Sequence, residues 1–410
     1  MLGALSTTMG NFHENLVTDL FALGDVRING DRPWDVQVHD RRFFRKALSL
    51  GTMGLGEAYV DGWWDCRALD EFGLRILDAG VRNKVPITPR LVLGALPQLL
   101  PNLHYFVPGL REAAARLGFL RNAVERHYNI GNDFYQVLLD RRMTYTCGYW
   151  RDAESLDDAG EAKLEMVCRK LGLKPGHRVL DIGCGWASFA RYAAEHYGVS
   201  VVGITISEEQ RRLGSELAAG LPIEIRLQDY REVTDAGAFD RAVSLGMFEH
   251  VGRRNYPAYM RMVHNALTPD GLFVLETIGE NISGTHCNPW FAKYIFNSPA
   301  SVFPSIAEVS RAVEGLFAIE DWQNFGHDYA PTIERWWANV EAERDWVLET
   351  YDERFYRMWE FCLQSCVSSF RGRYAQMWQI VLAKQPVEGG FHPDHWDGAV
   401  PAGEDRRGGQ

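Results

Sequence analysis

The chain has 410 residues, room for two domains or for one enlarged by insertions, and its 46% hydrophobic and 24% charged residues are those of an ordinary folded protein. Its net charge of −11 argues against a nucleic-acid partner, whose binding rests on neutralising phosphates. No apolar run approaches the roughly 20 residues of a membrane-spanning helix.

The start, MLGALSTTMGNFHENL, lacks the basic and long apolar stretches of a secretory signal, so a cytoplasmic location is expected. The seven Cys form no CxxC pair, which fits reduced thiols and predicts no metal site. Charge is uneven. Residues 1–125 carry 14 Lys/Arg and 14 Asp/Glu, so the acidity lies in the remainder, and the neutral first part is where a lipid surface could be met.

Three regions follow in chain order. Residues 1–125 mix short helical patterns with the Gly-rich patch LGTMGLGEAYVDGWWD (50–65). Within them PRLVLGALPQLLPNLHYFVPGL (89–110) is expected to be broken by its prolines into short apolar pieces. It reads either as a buried, kinked connection or as a surface element dipping into a lipid interface beside Arg111, Arg116 and Arg121. Residues 126–385 hold strand-like apolar runs alternating with helical stretches, the pattern of a parallel α/β sheet. An insertion near 280–315 interrupts them, and AIEDW and MWQIVLAK (377–384) are the last strand-like runs. The Gly- and charge-rich residues 386–410 are expected to be a flexible tail.

The strongest local signal is RVLDIGCGWAS (178–188), a strand entering a Gly-rich turn and then a helix. Gly183 and Gly185 permit positive φ and close approach of a ligand to the backbone. A third Gly at dinucleotide spacing is missing, and so is a GKS/T, which excludes phosphate cradling. A strand ending in Asp181-x-Gly-x-Gly suits a cationic, phosphate-free nucleoside.

The next units place polar groups at the carboxyl ends of strands, where such sheets bind ligands. SVVGIT (200–205) ends in Thr205, and Ser207 caps a helix containing Gln210. Because no acid ends this strand, hydroxyl and amide groups must meet a ribose. IEIRLQDY (223–230) ends in Gln228 and Asp229, and an Asp there can accept from an exocyclic amine. FDRAVSLGMFEHVG (239–252) runs into a polar cluster at Glu249, and GLFVLETIG (271–279) is a fifth strand.

Taken together, MGLGEAYVDGWWD (53–65), HYNIGNDFY (127–135), YTCGYW (145–150), LDIGCGW, VVGITISEEQ, LQDYR, LGMFEHVG, NPWFAKYIFNS (288–298) and DWQNFGHDYAPTI (321–333) closely resemble the cyclopropane fatty acid synthases and mycolic acid methyltransferases. The resemblance runs from about residue 15 to 385. It implies a Rossmann-like class I methyltransferase sheet, mostly parallel with the last strand antiparallel, behind a smaller, mainly helical N-terminal domain. It implies S-adenosylmethionine held by Tyr128, Tyr145, Thr146, Gly183, Gly185, Thr205, Gln210, Gln228 and Asp229. Bicarbonate, the family's presumed base, would meet Cys147, Glu249, Glu276, the Ile278 backbone and Tyr329. A homodimer acting peripherally on unsaturated phospholipid in a membrane surface is also implied.

The family transfers a methyl group to an alkene and then removes a proton to close a ring. An alkene is a weak nucleophile, so catalysis consists of alignment, exclusion of water and stabilisation of a carbocation, which aromatic faces provide. Trp150, Trp186, Phe248, Trp290, Phe291 and Tyr294 stand beside the motifs, each also readable as core packing.

One departure matters. Where the family places a His in an L-H-T-I-G arrangement, this chain has Glu276. Two carboxylates, Glu249 and Glu276, would face one pocket, raising one pKa and disfavouring a bound anion. Either Glu276 is a protonated donor or a carboxylate replaces bicarbonate as base. The product is then a ring or, alternatively, a methyl or methylene branch. A soluble amphiphilic small molecule is the further alternative substrate.

Overall fold

The computed structural model describes residues 2–107, 130–284, 288–296 and 301–392. Tyr128, Arg111, Arg116, Arg121 and most of the tail lie outside the described residues. Of the tail, Val387 and Phe391 pack against the sheet core, and the Val387 N–H donates to Glu320 at 2.9 Å.

A short antiparallel ribbon, β1 (Gln37–Val38) with β2 (Trp64–Asp65), belongs to the N-terminal part. The main sheet comprises β3 (Arg178–Ile182), β4 (Ser200–Thr205), β5 (Ile223–Leu227), β6 (Phe239–Leu245), β7 (Leu267–Gly279), β8 (Ala318–Asn324) and β9 (Gln376–Ala383). Its order is β5-β4-β3-β6-β7-β9-β8. All neighbours are parallel except β9, which runs antiparallel to both β7 and β8. The expected sheet, with its antiparallel last strand, is therefore present. Strand order reverses at β3, so a crevice opens beyond the carboxyl ends of β3 and β6.

Both faces of the sheet are covered, and its central strands are accordingly mostly apolar, with buried polar side chains such as Asp181, Ser244 and Glu276 toward their carboxyl ends. Along β7, Phe273 and Leu275 pack with Tyr259, Met260 and Val263 of the Tyr256–Ala266 helix. Leu272 and Val274 pack on the other face with Leu164, Val167 and Cys168 of the Leu156–Lys170 helix. Glu276 shares the parity of Val274, which aims it at that second helix.

The N-terminal helices Arg42–Leu50, Thr52–Val60 and Leu69–Asp78 enclose Phe21, Phe43, Trp64 and Phe72, whose rings meet edge-on or tilted. These residues do not close a core alone. Trp290 and Phe361, from far along the chain, complete it, and Gly56 is required there because a Cβ would lie 2.4 Å from the Trp290 ring. The Glu353–Arg371 helix is tied across by Arg357, whose Nε donates to the Tyr59 carbonyl and whose Nη2 donates to Asp65, both at 2.7 Å.

The proline-rich segment is not broken into pieces. Pro89–Phe106 is one helix with Pro97 and Pro101 inside it, started by Pro89 and by Thr88, whose hydroxyl accepts from the Leu91 N–H. Both internal prolines are exposed, so the backbone bonds they remove lie on the wet side, where water replaces them. Val92, Leu93, Leu96, Leu100 and Leu103 are also exposed, whereas Ala95 is buried and Leu99 packs on the N-terminal core. Among the described residues no helix is long and apolar enough to cross a membrane.

Candidate active site

The turn after β3 carries the expected glycines at the crevice. Gly183 has φ +80° and a Cβ there would strike Met247 at 2.8 Å, so this position needs Gly for conformation and for space. Gly185, at φ +55°, has nothing within 4 Å of the place a Cβ would take, leaving its backbone open to a ligand. Asp181 is 2% exposed, and burial pushes its carboxyl up to about 7. Its Oδ2 has no hydrogen-bond partner among the described residues.

Around the turn, the predicted cofactor groups come together but are partly engaged with one another. Thr205 Oγ1 donates to Gln210 Oε1 at 2.8 Å and accepts the Ser207 N–H at 3.2 Å, and Ser207 Oγ caps its helix through the Gln210 N–H. The Gln228 amide donates to the Glu232 carbonyl, and Asp229 accepts from the Arg231 backbone and guanidinium. Tyr145 leans on Tyr135 and Trp336 with centroids 5.3 and 5.2 Å away. The unpaired Asp181 oxygen, the open backbone at Gly185 and the polar strand ends suit a cationic nucleoside.

On the far side of β6, the other candidates converge. Glu249 lies on a short 3-10 turn after β6 and is 3% exposed. Its Oε1 accepts the Ile278 N–H at 2.6 Å, and its Oε2 has no hydrogen-bond partner among the described residues. Burial pushes this carboxyl up to about 7, with the Glu276 charge adding to the rise. Burial also raises the Glu276 carboxyl, but here Lys163, Gln379 and Lys170 oppose it. Cys147 is fully buried and its thiol lies well above the usual range, first through burial and then through the Glu276 charge. Such a thiol is no nucleophile at neutral pH. The Tyr329 hydroxyl is likewise held well above its usual range by burial, and it feels Cys147, Glu249 and Glu276. Its ring packs on Phe370 and Trp336 with centroids 4.5 and 5.9 Å away.

Sequence reading missed the cation in this group. Glu276 does not merely oppose Glu249: its Oε1 lies 3.9 Å from Lys163 Nζ, and its Oε2 accepts from Gln379 Nε2 at 2.7 Å. The expected pair of carboxylates is present, the Glu276 charge helping to raise Glu249, and Lys163 adds a cation beside Glu276. The signal was present in DDAGEAKLEMVCRKL, where Lys163 falls on the apolar face of the helix. Asn132 was also missed. It accepts from Trp186 Nε1 at 2.8 Å and donates to Glu209 at 3.1 Å, binding the IGND segment to the glycine turn.

The donor set does not suit a bicarbonate ion. The Ile278 N–H already serves Glu249, the Cys147 thiol donates to the Gly148 carbonyl at 3.2 Å, and a carboxylate occupies the place of the family His. Several aromatics near the motifs are core instead of site: Phe248 stacks on Tyr256 at 4.1 Å, and Trp290 packs on Phe361 at 4.8 Å. Among the described residues no cluster of His, Cys, Asp and Glu could hold a metal.

The family model described as mycolic acid cyclopropane synthetase matches residues 119–380. Over 382 residues, 92% of this chain and 94% of the other, the sequence is 42% identical to a cyclopropane-fatty-acyl-phospholipid synthase of Escherichia coli strain K12. A probable fatty acid methyltransferase of Pseudomonas putida is 34% identical, covering 67% of this chain and 72% of its own. Among solved structures, a cyclopropane synthase of Mycobacterium tuberculosis superposes with TM-score 0.60 at 29% identity, over 64% of this chain and 98% of that one. A mycolic acid cyclopropane synthase complexed with SAH and CTAB superposes with TM-score 0.59 at 30% identity, over 64% and 98%. The chain belongs to the mycolic acid cyclopropane synthetase family and is an S-adenosylmethionine-dependent methyltransferase.

Proposed function

We propose that this enzyme adds the methyl carbon of S-adenosylmethionine to a C=C bond of an unsaturated phospholipid acyl chain and closes the product to a cyclopropane, with Glu249 taking the proton. The E. coli relative, at 42% identity over nearly the whole chain, supports the substrate class. The observation that carries the role of Glu249 is its Oε2, which has no hydrogen-bond partner among the described residues in a buried site while Oε1 is fixed on the Ile278 N–H. Glu276 Oε1 also lacks a hydrogen bond but has Lys163 3.9 Å away.

The cofactor would be held by Gly183, Gly185, Thr205, Ser207, Gln210, Gln228 and Asp229, with Tyr145 and Thr146 forming a wall and Asp181 contributing charge from beneath the turn. When bound, it supplies an electrophilic methyl group to one alkene carbon, leaving positive charge on the other. Loss of a proton from the added methyl group leaves its C–H electron pair to form the third ring bond. The faces of Tyr145, Tyr329 and Trp336 stabilise the positive charge without adding to it, and burial excludes the water that would. Glu249 Oε2 receives the proton. A carboxyl held near 7 is matched to that task at neutral pH.

The lipid is approached through the exposed leucines of the Pro89–Phe106 helix, which make the enzyme a peripheral visitor to the bilayer. The test is incubation of the purified chain with vesicles of unsaturated phosphatidylglycerol, with and without S-adenosylmethionine. Acyl chains gaining one CH2 only when the cofactor is present support the reading, and unchanged chains overturn it.

A further inference from the structure

The Leu156–Lys170 helix turns Ala159, Gly160, Leu164 and Val167 toward the core, and amid that face stands Lys163, with no exposed surface. Its ammonium donates to Thr146 Oγ1 at 2.6 Å and lies 3.9 Å from Glu276 Oε1. Thr146 in turn lies against Gly246, where a Cβ would come within 3.1 Å of the Thr146 methyl. The Gly246 N–H donates to the Glu276 carbonyl at 3.1 Å. Lys163, Thr146, Gly246 and Glu276 therefore form a closed ring of contacts joining the YTCG segment to the ends of β6 and β7. Gln379 on β9 holds the remaining Glu276 oxygen.

A buried ion pair holds a fold together no better than well-packed apolar side chains of similar volume. A Leu or Met at position 163 would serve packing as well. What an ammonium adds is a simultaneous hold on a hydroxyl and a carboxylate. Thr146 stands between Tyr145, in the aromatic wall, and Cys147, which feels the Glu276 charge.

We propose, resting on the function given above, that Lys163 is a positioning residue: it anchors Thr146 beside the cofactor and sets its cation 3.9 Å from Glu276 Oε1, which has no hydrogen-bond partner among the described residues. Losing Lys163 would remove the cation that holds the Thr146 hydroxyl and lies 3.9 Å from Glu276 Oε1, leaving Glu276 with Gln379 and the more weakly felt Lys170.

The test compares the full-length protein with Lys163→Met and with Lys163→Met/Glu276→Gln, which removes the lone charge but not the loss of the anchor. Thermal melting, hydrogen exchange of the peptide spanning residues 143–149, and kcat and KM for S-adenosylmethionine on unsaturated phosphatidylglycerol vesicles are measured. The single variant should melt lower. The double variant should melt near the parent, yet exchange that peptide about tenfold faster and lose about tenfold in kcat with KM changed less than about threefold. A double variant with parental exchange, or with fully restored kcat, overturns the proposal, because Lys163 would then only neutralise Glu276. A parent that leaves the vesicles unmodified counts against the proposed function, while the exchange measurement still decides whether Lys163 anchors Thr146.

Discussion

Glu249 and Ile278 are joined by a 2.6 Å bond from the Ile278 backbone N–H to Glu249 Oε1, which fixes the carboxylate and leaves its second oxygen free. Glu276, two residues before Ile278, has its oxygens facing Lys163 and Gln379 instead. The two acids thus have different environments and separate tasks.

Glu249→Gln should lower turnover at least about 100-fold, the scale of a lost general base, while binding of S-adenosylmethionine by calorimetry changes little. Turnover equal to the parent would remove Glu249 from the mechanism.

The rate should follow the ionisation of Glu249. A base must be deprotonated, so with the carboxyl pushed up to about 7 the rate climbs as pH rises through 7 and fades below it. The titratable groups coupled to Glu249 are Glu276 on β7, Tyr329 at the start of its helix, and Tyr256 and Tyr259 on the Tyr256–Ala266 helix. Of these Glu276 is the one whose negative charge raises the Glu249 value. Glu276→Gln should therefore move the acidic limb of the pH–rate profile to lower pH. A limb that stays in place would show that another group titrates there.

The open backbone at Gly185 gives a cleaner probe of the cofactor site than Gly183, where any Cβ also strikes Met247. Gly185→Ala places a methyl group where the ligand should approach. Affinity for S-adenosylmethionine should fall at least about tenfold, with a melting loss limited to the roughly 1–2 kcal/mol of a left-handed non-Gly residue. Unchanged affinity would move the cofactor elsewhere.

Vesicle binding should depend on the outer face of the Pro89–Phe106 helix. Leu93 and Leu100 are 67% and 64% exposed, so Leu93→Asp with Leu100→Asp leaves packing intact. Each leucine returned to water forfeits about 1.5–3 kcal/mol, and co-sedimentation should fall at least tenfold without a change in melting. Equal sedimentation would exclude this face. Leu99 is unsuitable for such a test because it packs inward.

Much of this was legible in the residues. SVVGIT is β4 residue for residue, and the Ser207 cap is where the Ser-Glu-Glu-Gln run places it. These elements are local: apolar runs bounded by turns, with caps set by side chains three residues away. The proline helix was not legible, because a proline's cost depends on whether its missing bond faces water, which only the packed structure decides. Lys163 was a matter of distance along the chain. Its partners lie 17 and 113 residues away, and no local pattern announces a cation delivered by a neighbouring helix. The Trp290 and Phe361 contributions to the N-terminal core were hidden for the same reason.

The central claim, methyl transfer followed by proton loss from the added carbon, is tested most directly with S-adenosylmethionine carrying a CD3 methyl group. The purified enzyme is incubated with unsaturated phosphatidylglycerol vesicles, and the extracted acyl chains are examined by NMR and mass spectrometry. The account predicts a cyclopropane whose bridging carbon is CD2, one deuteron having been lost to the base. A chain that retains an intact CD3 branch beside a vinylic signal would contradict it.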